Sequence, residues 1–157
     1  MTDMKSILLA EDNPNDVELT LEALAQHNLA NAVVVVEDGA EALDYLYCRG
    51  KYQDRSSGNP IVVLLDIKMP KVGGLEVLRI IKSDPALRAL PVVLLTSSRE
   101  DRDLVEGYEL GVNAYVVKPV NFSEFIDSVR QLGLFWAVIN ERPTESRNLT
   151  KSTTQPT

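Results

Sequence analysis

Five short apolar runs, each followed by a helical pattern, predict an α/β fold: a doubly wound, five-stranded parallel sheet with helices on both faces. The runs cover residues 6–10 (SILLA), 32–36 (AVVVV), 61–65 (IVVLL), 91–95 (PVVLL) and 114–117 (AYVV). They are continuously apolar rather than alternating, as strands buried on both faces must be. A second signal recurs between them, a capping residue followed three positions later by an acid. At 157 residues the chain is long enough for one substantial core.

The elements follow in order. After the first run, Asn13, Pro14 and Asp16 read as N-cap, first helical residue and N3 acid of a helix with Val17, Leu21 and Leu24 on its apolar face. Asp38 with Glu41 opens the second helix, Ser98 with Asp101 the fourth, and Asn121 with Glu124 the fifth. Residues 49–59 (RGKYQDRSSGN) form a polar connection longer than most, expected to project from the body. The last helix carries Phe122, Phe125, Ile126, Val129, Leu132 and Trp136 at helical spacing. The predicted organisation is one domain over 4–140 and a polar tail over 141–157, with no further domain.

Composition narrows the function. Sixteen Lys and Arg against 23 Asp and Glu give a net charge of -7, which argues against a phosphate-backbone binder. A single cysteine, Cys48, rules out an intrachain disulfide and a Cys-rich zinc site, and a single histidine, His27, rules out a multi-histidine centre. No apolar stretch reaches signal-peptide or membrane-spanning length, so a soluble cytoplasmic protein is expected.

Ligands of open parallel sheets bind beyond the carboxyl ends of the strands. Those ends carry Glu11 and Asp12, Asp66, Thr96 and Ser97, and Lys118 followed by Pro119. Carboxylates gathered on one rim repel unless a cation neutralises them, which implies a hard divalent ion, magnesium first. A lysine beside such a metal can neutralise a phosphoryl group, so the set suits phosphoryl transfer.

Taken singly these residues have plainer readings. The Glu11-Asp12 pair could serve a helix dipole, Thr96 could be an ordinary strand residue, and Lys118 a solvated strand end. Cys48 reads as a partly buried helix-end residue, Met69 as local packing and His27 as a helix-end cation. Their joint occurrence at successive strand ends is what favours chemistry.

EDN after the first strand, LLDIKMP with the GG that follows, LTSS and AYVVKP resemble the receiver domain of two-component response regulators, across about residues 4–140. The resemblance implies a flavodoxin-like (βα)5 fold with strand order 2-1-3-4-5. It further implies Asp66 as phosphoacceptor and a magnesium ion held by Glu11, Asp12, Asp66 and the backbone carbonyl of Lys68. Thr96 and Lys118 would contact the phosphoryl oxygens, Tyr115 would be the switch aromatic, and the Lys118-Pro119 bond would be cis. The signal would leave through the face of the fourth helix, fifth strand and fifth helix, as altered protein binding.

The long loop, SSRED…LGVNAYVVKP and the final LGLFW are similar to the regulators paired with bacteriophytochrome and related histidine kinases. That resemblance implies a sensor histidine kinase as partner. Leu134, Phe135, Val138 and Ile139 widen the last apolar stripe beyond one core-facing side, so a homodimer through this helix is expected. Two departures stand out: Glu11 replaces the first aspartate of many receivers, and Lys68 and Ser98 occupy variable positions flanking the site. A haloacid-dehalogenase-like phosphatase is the enzymatic alternative. It needs a second acid two residues after the nucleophile, where this chain has Lys68.

Overall fold

A run of Val and Leu side chains leaves no face fit for water, and each of the five runs becomes a strand, the three central ones buried on both sides and the two edge ones partly covered. The computed structural model describes residues 6–26, 32–55, 58–97, 102–112 and 114–131, except the side chains of 102–105. The order is β1 (Ile7–Ala10), α1 (Pro14–Ala25), β2 (Val33–Val36), α2 (Gly39–Tyr47), β3 (Val62–Asp66), α3 (Gly74–Ser83), β4 (Val92–Thr96), α4 (Arg102–Glu109), β5 (Ala114–Val117) and α5 (Phe122–Gln131). All neighbours pair in parallel, and the sheet runs β2-β1-β3-β4-β5 as expected.

Alternate strand residues feed two cores. Leu8, Val63, Leu65 and Leu94 face Leu46 of α2 and Leu78 of α3. Leu9, Leu64, Val93 and Val116 face Leu24 of α1 and Phe125 of α5. β3 and β4 each end one residue later than the apolar runs, because the ladder continues through Asp66, paired with Leu95, and Thr96, paired with Val117. Both polar residues are therefore held by strand geometry and not by a loop.

The helix starts follow their caps. Asn13 Oδ1 accepts from the N–H groups of Asn15 and Asp16 at 2.8 and 3.3 Å, Asp38 Oδ1 from Glu41 at 2.7 Å, and Asn121 Oδ1 from Glu124 at 2.8 Å. Glu41 reaches back to the N–H of Glu37 at 2.9 Å. No helix among the described residues is long and apolar enough to cross a membrane.

The connection over 49–59 corrects one expectation. Instead of projecting, its described part folds back on α2. Cys48 ends that helix with φ 55, and a short 3-10 turn follows at Gly50–Tyr52. The Arg55 guanidinium lies 4.0 Å over the Tyr45 ring and donates to the Tyr45 carbonyl at 2.6 and 3.0 Å, satisfying a helix-end acceptor. Tyr52 donates to Glu41 at 2.6 Å. Polar composition misled because these polar groups find partners on the protein. His27, Ser98, Leu132, Leu134, Phe135, Trp136, Val138, Ile139 and the tail lie outside the described residues, and the expected dimer interface with them.

The segment after β3 is clamped at both ends. A Cβ on Gly39 would lie 2.0 Å from the Val72 carbonyl oxygen, and one on Gly74 would lie 2.2 Å from that of Asp66. Only glycine allows α3 to begin so close to the last residue of β3. Gly74→Ala should therefore destabilise the fold by roughly 2–4 kcal/mol. Gly73→Ala, whose Cβ meets only Ile67 O at 3.6 Å, should cost under about 1 kcal/mol. Equal denaturation midpoints for the two variants would refute the clamp.

Candidate functional site

The carboxyl ends of β1, β3, β4 and β5 open on a cleft of about 220 Å³. It is lined by Glu11, Asp12, Asn13, Asp16, Asp66, Ile67, Lys68, Leu95, Thr96, Ser97 and Lys118. Strand alternation explains which side chains meet. Ile7 and Leu9, Val62 and Leu64, and Ala114 and Val116 all face the α1/α5 core. The ladder persists one step past the strands through Glu11 N to Val36 O at 3.0 Å and Lys118 N to Thr96 O at 2.7 Å. The same parity therefore turns Glu11, Asp66 and Lys118 toward the first turn of α1.

There the Lys118 ammonium meets three carboxylates: Asp16 Oδ2 at 3.0 Å, Glu11 Oε1 at 3.2 Å and Asp66 Oδ1 at 3.2 Å. Glu11 is 1% exposed and Asp66 5%. Glu11 Oε2 also accepts from the N–H of Asn13 at 3.2 Å. Ligand oxygens of Glu11, Asp12 and Asp66 lie within 4.8 Å of one another, a spacing and donor type that fit a hard divalent cation. Thr96 is buried at the cleft wall, while Lys68 and Ser97 are exposed at its rim.

Burial, then the Asp66 charge, pushes the Glu11 carboxyl up to about 7, against the hydrogen bond from Asn13 and the pull of Lys118. Burial also raises Asp66, opposed chiefly by the Lys118 ammonium. Lys118 is displaced the other way from what its burial favours, because the hydrogen bond to Asp16 and the charges of Asp66 and Glu11 hold its proton more firmly than usual.

One expected residue stands outside the cleft. Tyr115 does not line the cleft; it is partly buried on β5 against the α2/α3 core, its ring 5.9 Å from that of Tyr108 in an edge-on arrangement. The Lys118-Pro119 bond is cis. Asp16 lines the cleft, although sequence reasoning saw only a helix-start acid. Its position five residues after Glu11, in the turn facing the rim, was the signal that could have found it.

The sign of the Glu11 shift has a measurable consequence in the metal-free protein. A carboxyl raised from 4.5 to about 7 on folding contributes stability that is full below pH 4.5 and is lost as pH rises through 7. In chelator, Glu11→Gln should gain on the native chain between pH 5 and pH 8, by on the order of 2 kcal/mol. A difference in midpoint that does not change with pH would contradict the shared burial of Glu11 and Asp66.

Residues 7–130 match the response regulator receiver domain family. The chain is 59% identical to the bacteriophytochrome response regulator AtBRR, covering 89% of this chain and 100% of that one with a TM-score of 0.81. It is 41% identical to the phosphorylated cyanobacterial phytochrome response regulator RcpA, covering 90% and 100%, with a TM-score of 0.70. Response regulator Rcp1 of Synechocystis sp. is 37% identical over 132 residues, 84% of this chain and 88% of that protein. A Mn(2+)-bound structure of Rcp1 gives a TM-score of 0.68 at 36% identity, covering 89% and 99%. The fold, the acidic rim and these relatives agree, and the chain belongs to the receiver domains of response regulators, phosphoacceptor signalling proteins rather than conventional enzymes.

Proposed function

We propose that Asp66 accepts a phosphoryl group from the phosphohistidine of a cytoplasmic sensor histidine kinase, and that the resulting change alters protein binding at the α4/β5/α5 face. One observation carries this reading: a carboxylate at the end of the central strand, beside Lys118 and within metal-sharing distance of Glu11 and Asp12. In the transfer an Asp66 oxygen attacks phosphorus, the O–P bond forms, and the N–P bond of the donor breaks with the imidazole leaving and taking up a proton. Strand β3 fixes the nucleophile, and the clamp at Gly74 keeps its backbone from retreating.

Magnesium is the cofactor that suits the donor set, and Glu11, Asp12, Asp66 and the Lys68 carbonyl would hold it. When bound it screens the phosphoryl oxygens from the carboxylates. The oxygen-only donor set and the Mn(2+) in Rcp1 support a divalent ion here. Thr96 and Lys118 take the remaining phosphoryl oxygens, and Tyr115 carries the change outward. The phosphorylated state of RcpA supports the same chemistry for this chain. A bacteriophytochrome-type kinase is the proposed donor, supported by the 59% identity to AtBRR.

Intact mass after incubation with a phosphohistidine donor tests the assignment. The native chain should gain one phosphoryl group with magnesium and lose that ability in chelator, and Asp66→Asn should gain none. Equal uptake by that variant would refute the role of Asp66. Lys118→Ala and Thr96→Ala should keep the fold while the phosphorylation-driven change in amide exchange at α4 and β5 falls severalfold. An undiminished change in both would remove them from the switch.

A further inference from the structure

Asp16 is the carboxylate of the cleft that neither the metal set nor the nucleophile accounts for. It makes the shortest of the three Lys118 contacts, 3.0 Å against 3.2 Å for Glu11 and for Asp66. The helix does not need its side chain for capping, since Asn13 already accepts from the Asn15 and Asp16 N–H groups. Nor does Asp16 belong to the carboxylate group whose oxygens lie within 4.8 Å of one another. Its carboxylate, 28% exposed, turns instead across the mouth of the cleft to a lysine 102 residues away in sequence.

We propose that Asp16 is a positioning residue that retains the Lys118 ammonium at the cleft mouth and so restrains phosphoryl occupancy of Asp66. The inference rests on the proposed role of Asp66. In this structure the ammonium donates to Asp16 and Glu11 and pairs with Asp66 at 3.2 Å, so Asp16 holds one of its three N–H donors. A divalent cation would draw on Glu11, Asp12 and Asp66 but leave Asp16 as the standing competitor for Lys118. The charges point the same way. Around a phosphoryl group on Asp66, the carboxylates of Glu11, Asp12 and Asp16, a divalent cation and one ammonium sum to no net charge. Without Asp16 the surroundings carry one positive charge, which favours the anion.

Removing this carboxylate therefore strengthens anion binding and not metal binding, a split that a helix-start role does not produce. Beryllofluoride, a noncovalent phosphoryl mimic, serves as the probe with the full chain at saturating magnesium. Asp16→Asn and Asp16→Ser should bind it about three- to tenfold more tightly than the native chain, the exposure of Asp16 keeping the effect modest. Magnesium alone should bind both variants no more tightly than the native chain, and Asp16→Glu should restore beryllofluoride affinity toward the native value. Unchanged or weaker beryllofluoride binding in both neutral variants would overturn the inference. Failure of the native chain itself to bind beryllofluoride would overturn the phosphoacceptor reading instead, and the two failures are thereby told apart.

Discussion

The Lys118 ammonium, bonded to three carboxylates across the top of the sheet, is the interaction on which the site depends. Two of those acids are nearly sealed from water, and a buried carboxylate without a partner is expensive. The cation that offsets them comes from the edge strand, more than a hundred residues from Glu11. It reaches them because parallel pairing puts the carboxyl ends of β1, β3 and β5 on one side of the sheet, and the long lysine spans the distance. The topology is thus what makes the cluster affordable.

The same burial explains why the cluster suits chemistry. With one ammonium for several acids, the resting site stays short of positive charge, and Glu11 answers by holding its proton up to about 7. A divalent ion held there would replace that proton with a stronger counter-charge, which would couple metal binding to deprotonation. Rigid surroundings keep the acids together despite their repulsion: the strand ladder fixes Asp66, and the close approach at Gly74 fixes the chain beyond it. Flexible acids in this number would separate into solvent.

Much of this was legible in the sequence because continuous Val/Leu runs have one reading, a strand buried on both faces, and the residues ending such runs inherit a common rim. Asp66 was the clearest, a charge directly after five apolar residues. The boundaries moved by one residue at β3 and β4 because backbone pairing does not stop where hydrophobicity does. The connection after α2 was misread for a different reason. Its Arg55 and Tyr52 look like solvent-facing residues until the Tyr45 carbonyl of α2 and the Glu41 carboxylate that they satisfy are in place. Asp16 was hidden because an acid in a helix's first turn already has a sufficient local explanation, and its long-range partner is visible only in three dimensions.

Tyr115 and Tyr108 lie where the proposed change in the cleft would reach the surface. Register sets Tyr115 beside Leu94, two residues before the Thr96 that lines the cleft wall, and alternation turns its ring to the face opposite Lys118. There it meets Tyr108 edge-on, with Tyr108 49% exposed. An aromatic pair of this kind is worth about 0.5–1.5 kcal/mol, and its exposure places it at the low end. On the proposed reading, a phosphoryl group drawing Thr96 and Lys118 inward would work against that contact and the packing of Tyr115 on the α2/α3 core. On that reading the buried carboxylates would supply the large energies of the site, while the weaker ring pair on the far side of the sheet would set how small a shift reaches the surface.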